Sequence, residues 1–168
     1  MGLPRKLKLM NVFGDGNSYH GQINELEQPK LALKLEEYRA GGMIGAVKVN
    51  LGLETLETTL KMGGFMTEFL KKFGSNIDGM PLRFMGAYEQ DDSGTVTSIE
   101  IVMRGRFGEI DSGNAKVGDD TEQSYTVPLT YYKVIENGTD IIEIDMLNSL
   151  FIVNGTDRLA EHRSAIGL

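Results

Sequence analysis

The stretch Pro29 to Glu54, PKLALKLEEYRAGGMIGAVKVNLGLE, constrains this chain more than any other. Leu31, Leu33 and Leu35 alternate with Lys30, Ala32, Lys34 and Glu36. Beyond a glycine-rich centre, Val47, Val49, Leu51 and Leu53 alternate with Lys48, Asn50, Gly52 and Glu54. A period of two marks strands with one buried and one wetted face. The centre, RAGGMIGA from Arg39 to Ala46, is too long for a two-residue turn. The stretch therefore predicts a long hairpin around a glycine loop. Unpaired edges on such a hairpin promote aggregation unless assembly uses them, so the chain points to self-assembly before it points to chemistry.

Elsewhere the same pattern predicts more strands. Leu7 to Phe13 alternates and ends in the turn Gly14-Asp15-Gly16-Asn17, whereas Ser18 to Gln28 reads either way. The apolar positions after the hairpin change parity, from Leu51 and Leu53 to Leu56, Leu60 and Met62, which predicts a bulge or bend near Glu54-Thr55 in a strand running on to Met62. Pro81 to Glu89, Ser98 to Phe107, Ser124 to Ile135 and Ile141 to Met146 are rich in β-branched and aromatic residues, and Asn137-Gly138 is a strong hairpin turn. Gly63 to Gly74 predicts a helix that plugs a sheet end with Phe65, Phe69 and Phe73. Gly108 to Gln123 reads as a surface loop. The short strand Leu150 to Val153 leads to a closing helix over Asp157 to Ile166. The fold class expected is mainly β: a β-sandwich or barrel with a long hairpin and one or two short α-helices, in a single domain spanning residues 1–168.

Composition removes most chemistry. There is no cysteine, so disulfides, thiolate nucleophiles and thiolate metal sites are absent. His20 and His162 show no local ligand spacing. Asp111 to Glu122 begins and ends like a calcium loop, but Lys116 stands where that loop needs glycine. Gly14-Asp15-Gly16 has Tyr19 in place of a third dinucleotide-binding glycine, and Asp119-Asp120 reads as a solvated pair. Serine elbows and Walker loops are missing. Catalytic residues, cofactors and metals are accordingly expected to be none. A net charge of −7 opposes tight nucleic-acid binding while suiting a surface past which DNA slides. No run of eighteen apolar residues exists, and Leu7 to Phe13 is too broken for a signal peptide, so cytosolic synthesis is expected.

Five segments in order carry a resemblance: PRKLKLMNVF, PKLALKLEEYRAGGM through VNLGLE, MRGRFGEIDSG, TYYKVIENGTDIIEID and VNGTDRLAEHRSAIGL. Together they resemble the major tail tube proteins of contractile-tailed phages, end to end, including the related tube of R-type pyocins. The resemblance implies a structural protein, not an enzyme, whose copies form hexameric rings stacked into a hollow tube. A contractile sheath surrounds such a tube, with baseplate and tail terminator proteins at its ends. It belongs to the virion tail, is assembled in the host cytoplasm and passes DNA without binding it specifically. In a pyocin, the alternative, the tube carries no DNA.

On that reading, heterologous contacts close rings and stack them, and hairpin strands of neighbouring copies pair to abolish their edges. The polar hairpin residues Lys30, Lys34, Glu36, Lys48, Asn50 and Glu54 become candidates for the lumen or its rim. Loop residues Tyr38, Arg39, Gly42, Met43 and Ile44 become candidates for inter-subunit contact, because Met43 and Ile44 are apolar where water selects polar side chains. Arg158 joins them, with Arg39, as a partner for carboxylates of the loop from Glu109 to Glu122. Two other classes remain open on the residues alone. A monomeric β-barrel binding module would never form rings, and an enzyme would lose activity on changing Asp111, Asp119 or His162.

Overall fold

The computed structural model describes residues 2–168. The chain runs β1 (Lys6–Gly14), β2 (Asn17–Ser18), β3 (Ile23–Glu27), β4 (Leu33–Tyr38), β5 (Val47–Leu53), β6 (Leu56–Met62), α1 (Thr67–Lys71), β7 (Met80–Glu89), β8 (Val96–Gly105), β9 (Glu109–Asp111), β10 (Gln123–Glu136), β11 (Thr139–Asp145), β12 (Leu150–Val153), β13 (Thr156–Asp157) and α2 (Ala160–Ala165). The protein is thus mainly β with two short helices, and its sheets are not closed.

The strands pair antiparallel. The main sheet has the order β13-β12-β11-β10-β8-β7-β1-β2. Strand β10 organises it by changing neighbours along its length. Residues 123–129 pair with β6, which carries β3 on its other edge, whereas residues 131–136 pair with β8 and β11. The sheet therefore divides at the middle of β10, and its two parts enclose the core. Leu56, Thr58, Leu60 and Met62 point inward from β6, meeting Leu82 and Phe84 of β7, Ile101 and Met103 of β8, and Tyr125, Val127 and Leu129 of β10. This is the period-two burial that alternation predicts for half-buried strands.

Helix α1 differs from its expected form. It spans only Thr67–Lys71, and of the three phenylalanines only Phe69 is buried, while Phe65 and Phe73 are exposed. Such a short helix gains little from its own hydrogen bonds and depends on packing. Phe69 supplies it, with ring centroids 4.8 Å from Tyr19, 5.3 Å from Phe107 and 4.9 Å from Tyr125. Buried Gln123 fixes the helix entry by accepting the Met66 N–H at 3.1 Å through Oε1. The loop expected over Gly108 to Gln123 also contains strand: β9 pairs with Ser124, Tyr125 and Thr126 of β10.

Both ends of this strand order are blunt. β2 and β13 have two residues each, and short edge strands resist pairing with other chains. Strands β4 and β5 are a different matter, because they form a separate two-stranded sheet outside the main one.

Candidate assembly surface

The hairpin forms as its alternation predicts, but its faces do not separate as expected. Glu36 stands opposite Val49, Glu37 opposite Lys48, Tyr38 opposite Val47 and Leu35 opposite Asn50. Residues directly opposite in an antiparallel pair share a face. One face thus carries Leu33, Leu35, Glu37, Lys48 and Asn50, and the other Lys34, Glu36, Tyr38, Val47 and Val49. The expectation of one apolar and one polar face is corrected: each face joins the apolar stripe of one strand to the polar stripe of the other. Period two cannot reveal this, because it orders side chains within a strand and leaves the register between strands open.

The register also slips. Leu33 lies opposite Leu53 while Leu35 lies opposite Asn50, so β5 holds an extra residue around Leu51 and Gly52. Gly52 takes φ +126° there, a conformation open to glycine, and its N–H donates to Asn50 Oδ1 at 2.9 Å. The parity change at Glu54-Thr55 is a change of sheet. β5 ends at Leu53, and the chain enters the main sheet at Leu56. The Glu54 N–H donates to the Ala32 carbonyl at 2.8 Å and closes the hairpin root.

The proposed contact residues sit at the far end. Tyr38 ends β4 and is exposed, followed by Arg39 and a turn containing Gly42. Met43 and Ile44, paired in the sequence reading, behave differently. Met43 folds onto its own loop and is half-buried, with its Sδ accepting the Ala40 N–H at 3.1 Å. Ile44 stands out completely, at 103% relative exposure. Arg158 lies away from this tip, just after β13, with its N–H donating to the Phe151 carbonyl at 2.8 Å.

Of the lumen or rim candidates, all six side chains are exposed. The register places Lys34 and Glu36 on one face and Lys48 and Asn50 on the other, with Lys30 and Glu54 at the root. The structure does not bring them onto one surface. At the root, a groove that sequence could not disclose opens between the hairpin and the β11–β12 pair. Leu31, Leu33 and Leu53 face Ile142, Ile144 and Phe151 across it. Its walls come from segments about a hundred positions apart, so no local pattern marks it. Below it, Asp145 is buried but engaged, its carboxylate accepting the N–H groups of Leu147 and Asn148 at 3.1 and 3.2 Å.

Residues considered for chemistry are scattered. His20 and His162 are exposed, Asp111 accepts the Gly113 N–H at 2.9 Å, and Asp119 lies 3.8 Å from Lys116. Among the described residues, no three His, Cys, Asp or Glu side chains are placed to hold a metal ion. Among the described residues, no helix is long and apolar enough to cross a membrane. The titratable groups that are displaced have structural causes: burial raises the Tyr132 phenol, and burial with the Glu143 carboxylate raises Tyr131 further.

The chain thus presents an open antiparallel β-structure with a detached, exposed hairpin. Its fold matches a chain of an extracellular contractile injection system, seen in a sheath–tube complex in the extended state, with TM-score 0.58 and 15% identity over 80% of this chain and 91% of the other. A sheath/tube terminator structure of the same system matches at TM-score 0.56 and 14% identity, over 80% and 96% of the two chains. The model of the family described as phage tail tube protein FII matches residues 4–167, and the chain belongs to that family. The tail tube protein of Escherichia phage P2 is 45% identical over the whole of both chains. The major tail tube protein of Serratia phage KSP20 is 41% identical over 100% of this chain and 99% of its own. The chain is therefore a phage tail tube protein, a structural component of the virion tail.

Proposed function

We propose that copies of this chain assemble as hexameric rings that stack into the inner tube of a contractile tail, conducting DNA through the host envelope. The observation that carries this reading is the hairpin: a two-stranded sheet detached from the main sheet, with Leu33, Leu35, Val47 and Val49 exposed in the single chain. Isolated two-stranded hairpins are marginal in water and gain stability when something packs on them. Copies of the same chain provide that packing, while the blunt strands β2 and β13 keep those two edges of the main sheet from joining at random.

Tyr38, Arg39, Gly42, Met43 and Ile44 make the contact between copies at the loop, and Arg158 makes a second contact at the α2 corner. Since neither hairpin face is wholly polar, Lys30, Lys34, Glu36, Lys48, Asn50 and Glu54 belong at the rim, where long stems lie against neighbours and charged heads reach water. The sheath surrounds the assembled tube, and baseplate and terminator proteins bound its ends. The net charge of −7 favours DNA passage without adhesion.

Negative-stain electron microscopy of the purified chain over a concentration series, with light-scattering mass, tests this directly. Rings or hollow tubes are expected, spontaneously or on adding a baseplate nucleus. A strict monomer under both conditions overturns the reading.

A further inference from the structure

Two hairpins of this chain close on the same three residues. Asn137-Gly138-Thr139 joins β10 to β11, and Asn154-Gly155-Thr156 joins β12 to β13. No other asparagine of the chain is followed by glycine. We propose that Asn154 is a modification site, deamidating spontaneously in the folded protein through attack by the Gly155 backbone nitrogen, while Asn137 is held unreactive. Asparagine is thermolabile, and a following glycine has no Cβ to screen the attacking nitrogen. The Gly155 N–H gives its proton to solvent base, and the nitrogen bonds to the side-chain carbon Cγ of Asn154. The Cγ–Nδ2 bond breaks, and Nδ2 leaves as ammonia with a proton from water. Water then opens the cyclic imide at either carbonyl to give aspartate or isoaspartate, with nothing oxidised or reduced.

Backbone shape does not separate the two turns. Asn137 and Gly138 take φ +46° and +81°, Asn154 and Gly155 φ +51° and +78°, and all four residues are exposed. Neither glycine N–H is engaged in a hydrogen bond among the described residues. What differs is the asparagine side chain. Asn137 is clamped to β8: its N–H donates to the Ser98 carbonyl at 2.9 Å, and its Oδ1 accepts the Ser98 N–H at 2.9 Å. Asn154 has only the first half of this arrangement, an N–H donated to the Ile141 carbonyl at 2.9 Å, and its amide has no partner among the described residues. Reaction requires Cγ to swing over the following nitrogen, which the Ser98 bond opposes at Asn137 alone.

Local opening favours the same site. The Asn137 turn closes a ladder running from Tyr131 to Glu136, with β8 on the other edge of β10. The Asn154 turn closes only two pairs, Ile152 with Asp157 and Val153 with Thr156, at the end of the sheet. Short ladders at sheet ends open at low free energy. Isoaspartate at position 154 would route the main chain through its side chain and add a methylene, so those two pairs would lose their register. Asp157, which pairs with Arg163 of α2, sits on the displaced strand. A virion component is not renewed after assembly, so this loosening of the C-terminal corner accumulates with particle age.

Wild-type protein held at mildly alkaline pH and sampled over weeks by peptide mass mapping, with enzymatic labelling of isoaspartate, tests the assignment. Position 154 should convert about tenfold faster than position 137, since one net hydrogen bond must break first at Asn137. The same incubation in denaturant is the control. Both sites read Asn-Gly-Thr, so their rates should become similar once the fold is gone. Equal rates in the native protein, faster conversion at Asn137, or no conversion at either site overturns the proposal. A native preference for Asn154 that persists undiminished in denaturant also overturns it, because local sequence and not the fold would then set the rate.

Discussion

Gly105 meets the backbone of Pro128 so closely that a Cβ on Gly105 would lie 2.2 Å from the Pro128 carbonyl oxygen. Here β8 leaves β10: Leu129 pairs with Gly105, but Tyr131 pairs with Arg104, leaving Thr130 as an extra residue. The divided sheet depends on this bare approach, because a backbone carbonyl cannot rotate aside as a side chain would. Gly105→Ala should cost about 1–3 kcal/mol by overpacking, read as a lower midpoint in chemical denaturation with an unchanged slope. A midpoint equal to wild type would show that the crossing has slack.

The aromatic cluster predicts unequal effects within one short segment. Phe69→Ala should destabilise the fold by roughly 3–5 kcal/mol, because a fully buried ring leaves a cavity among Tyr19, Phe107 and Tyr125. Phe65→Ala and Phe73→Ala, at 63% and 59% exposure, should stay within about 0.5 kcal/mol. Thermal unfolding of the three variants checks the order.

At the hairpin tip, stability and assembly should part company. Replacing Met43 and Ile44 with Asp leaves the core untouched, so unfolding should shift by about 0.5 kcal/mol or less. Tube growth should nevertheless stop, since charges would enter the proposed contact without partners. Electron microscopy beside circular dichroism separates these outcomes. Normal tubes from the double variant would remove the loop from the interface.

Acid should loosen the C-terminal helix. Arg163 pairs with Asp157 and donates to the Ser149 carbonyl at 2.9 Å, joining α2 to the β12–β13 corner. The Arg163 guanidinium, helped by the Leu159 N–H, holds the Asp157 carboxyl below the usual carboxylate range. A depressed pKa contributes stability that is complete above the unfolded value, about 4, and is lost as pH falls through the folded value. Protection factors of the α2 amides, exchange rates taken relative to the intrinsic rate at each pH, should therefore fall at the acid end in wild type. Asp157→Asn should exchange faster at neutral pH and lose that acid step.

Legibility in the sequence followed the range of the forces involved. β12 matches its expected bounds, and β1, β7, β8, β10 and β11 shift by one or two residues, because alternation reports which face of a strand meets the core. β9 escaped because it has only Ile110 as an inward apolar residue, too few for a period. The helix over Gly63 to Gly74 was overextended because Phe65 and Phe73 fit a helical stripe, while Gln123 and the pocket around Phe69 engage a single turn.

The candidate surface shows the same division. Sequence alone determined that a long hairpin exists around Arg39 to Ala46, that disulfide and thiolate chemistry is excluded, and which family its ordered segments resemble. These are properties of residue type, local period and order along the chain. Only the tertiary structure decided that Leu35 and Val49 lie on opposite faces, that Lys34 and Glu36 part from Lys48 and Asn50, and that Met43 folds back while Ile44 stands free. The physical reason is register. A slip of one residue around Gly52 reverses which side chains share a face, and that slip is set by pairing between strands.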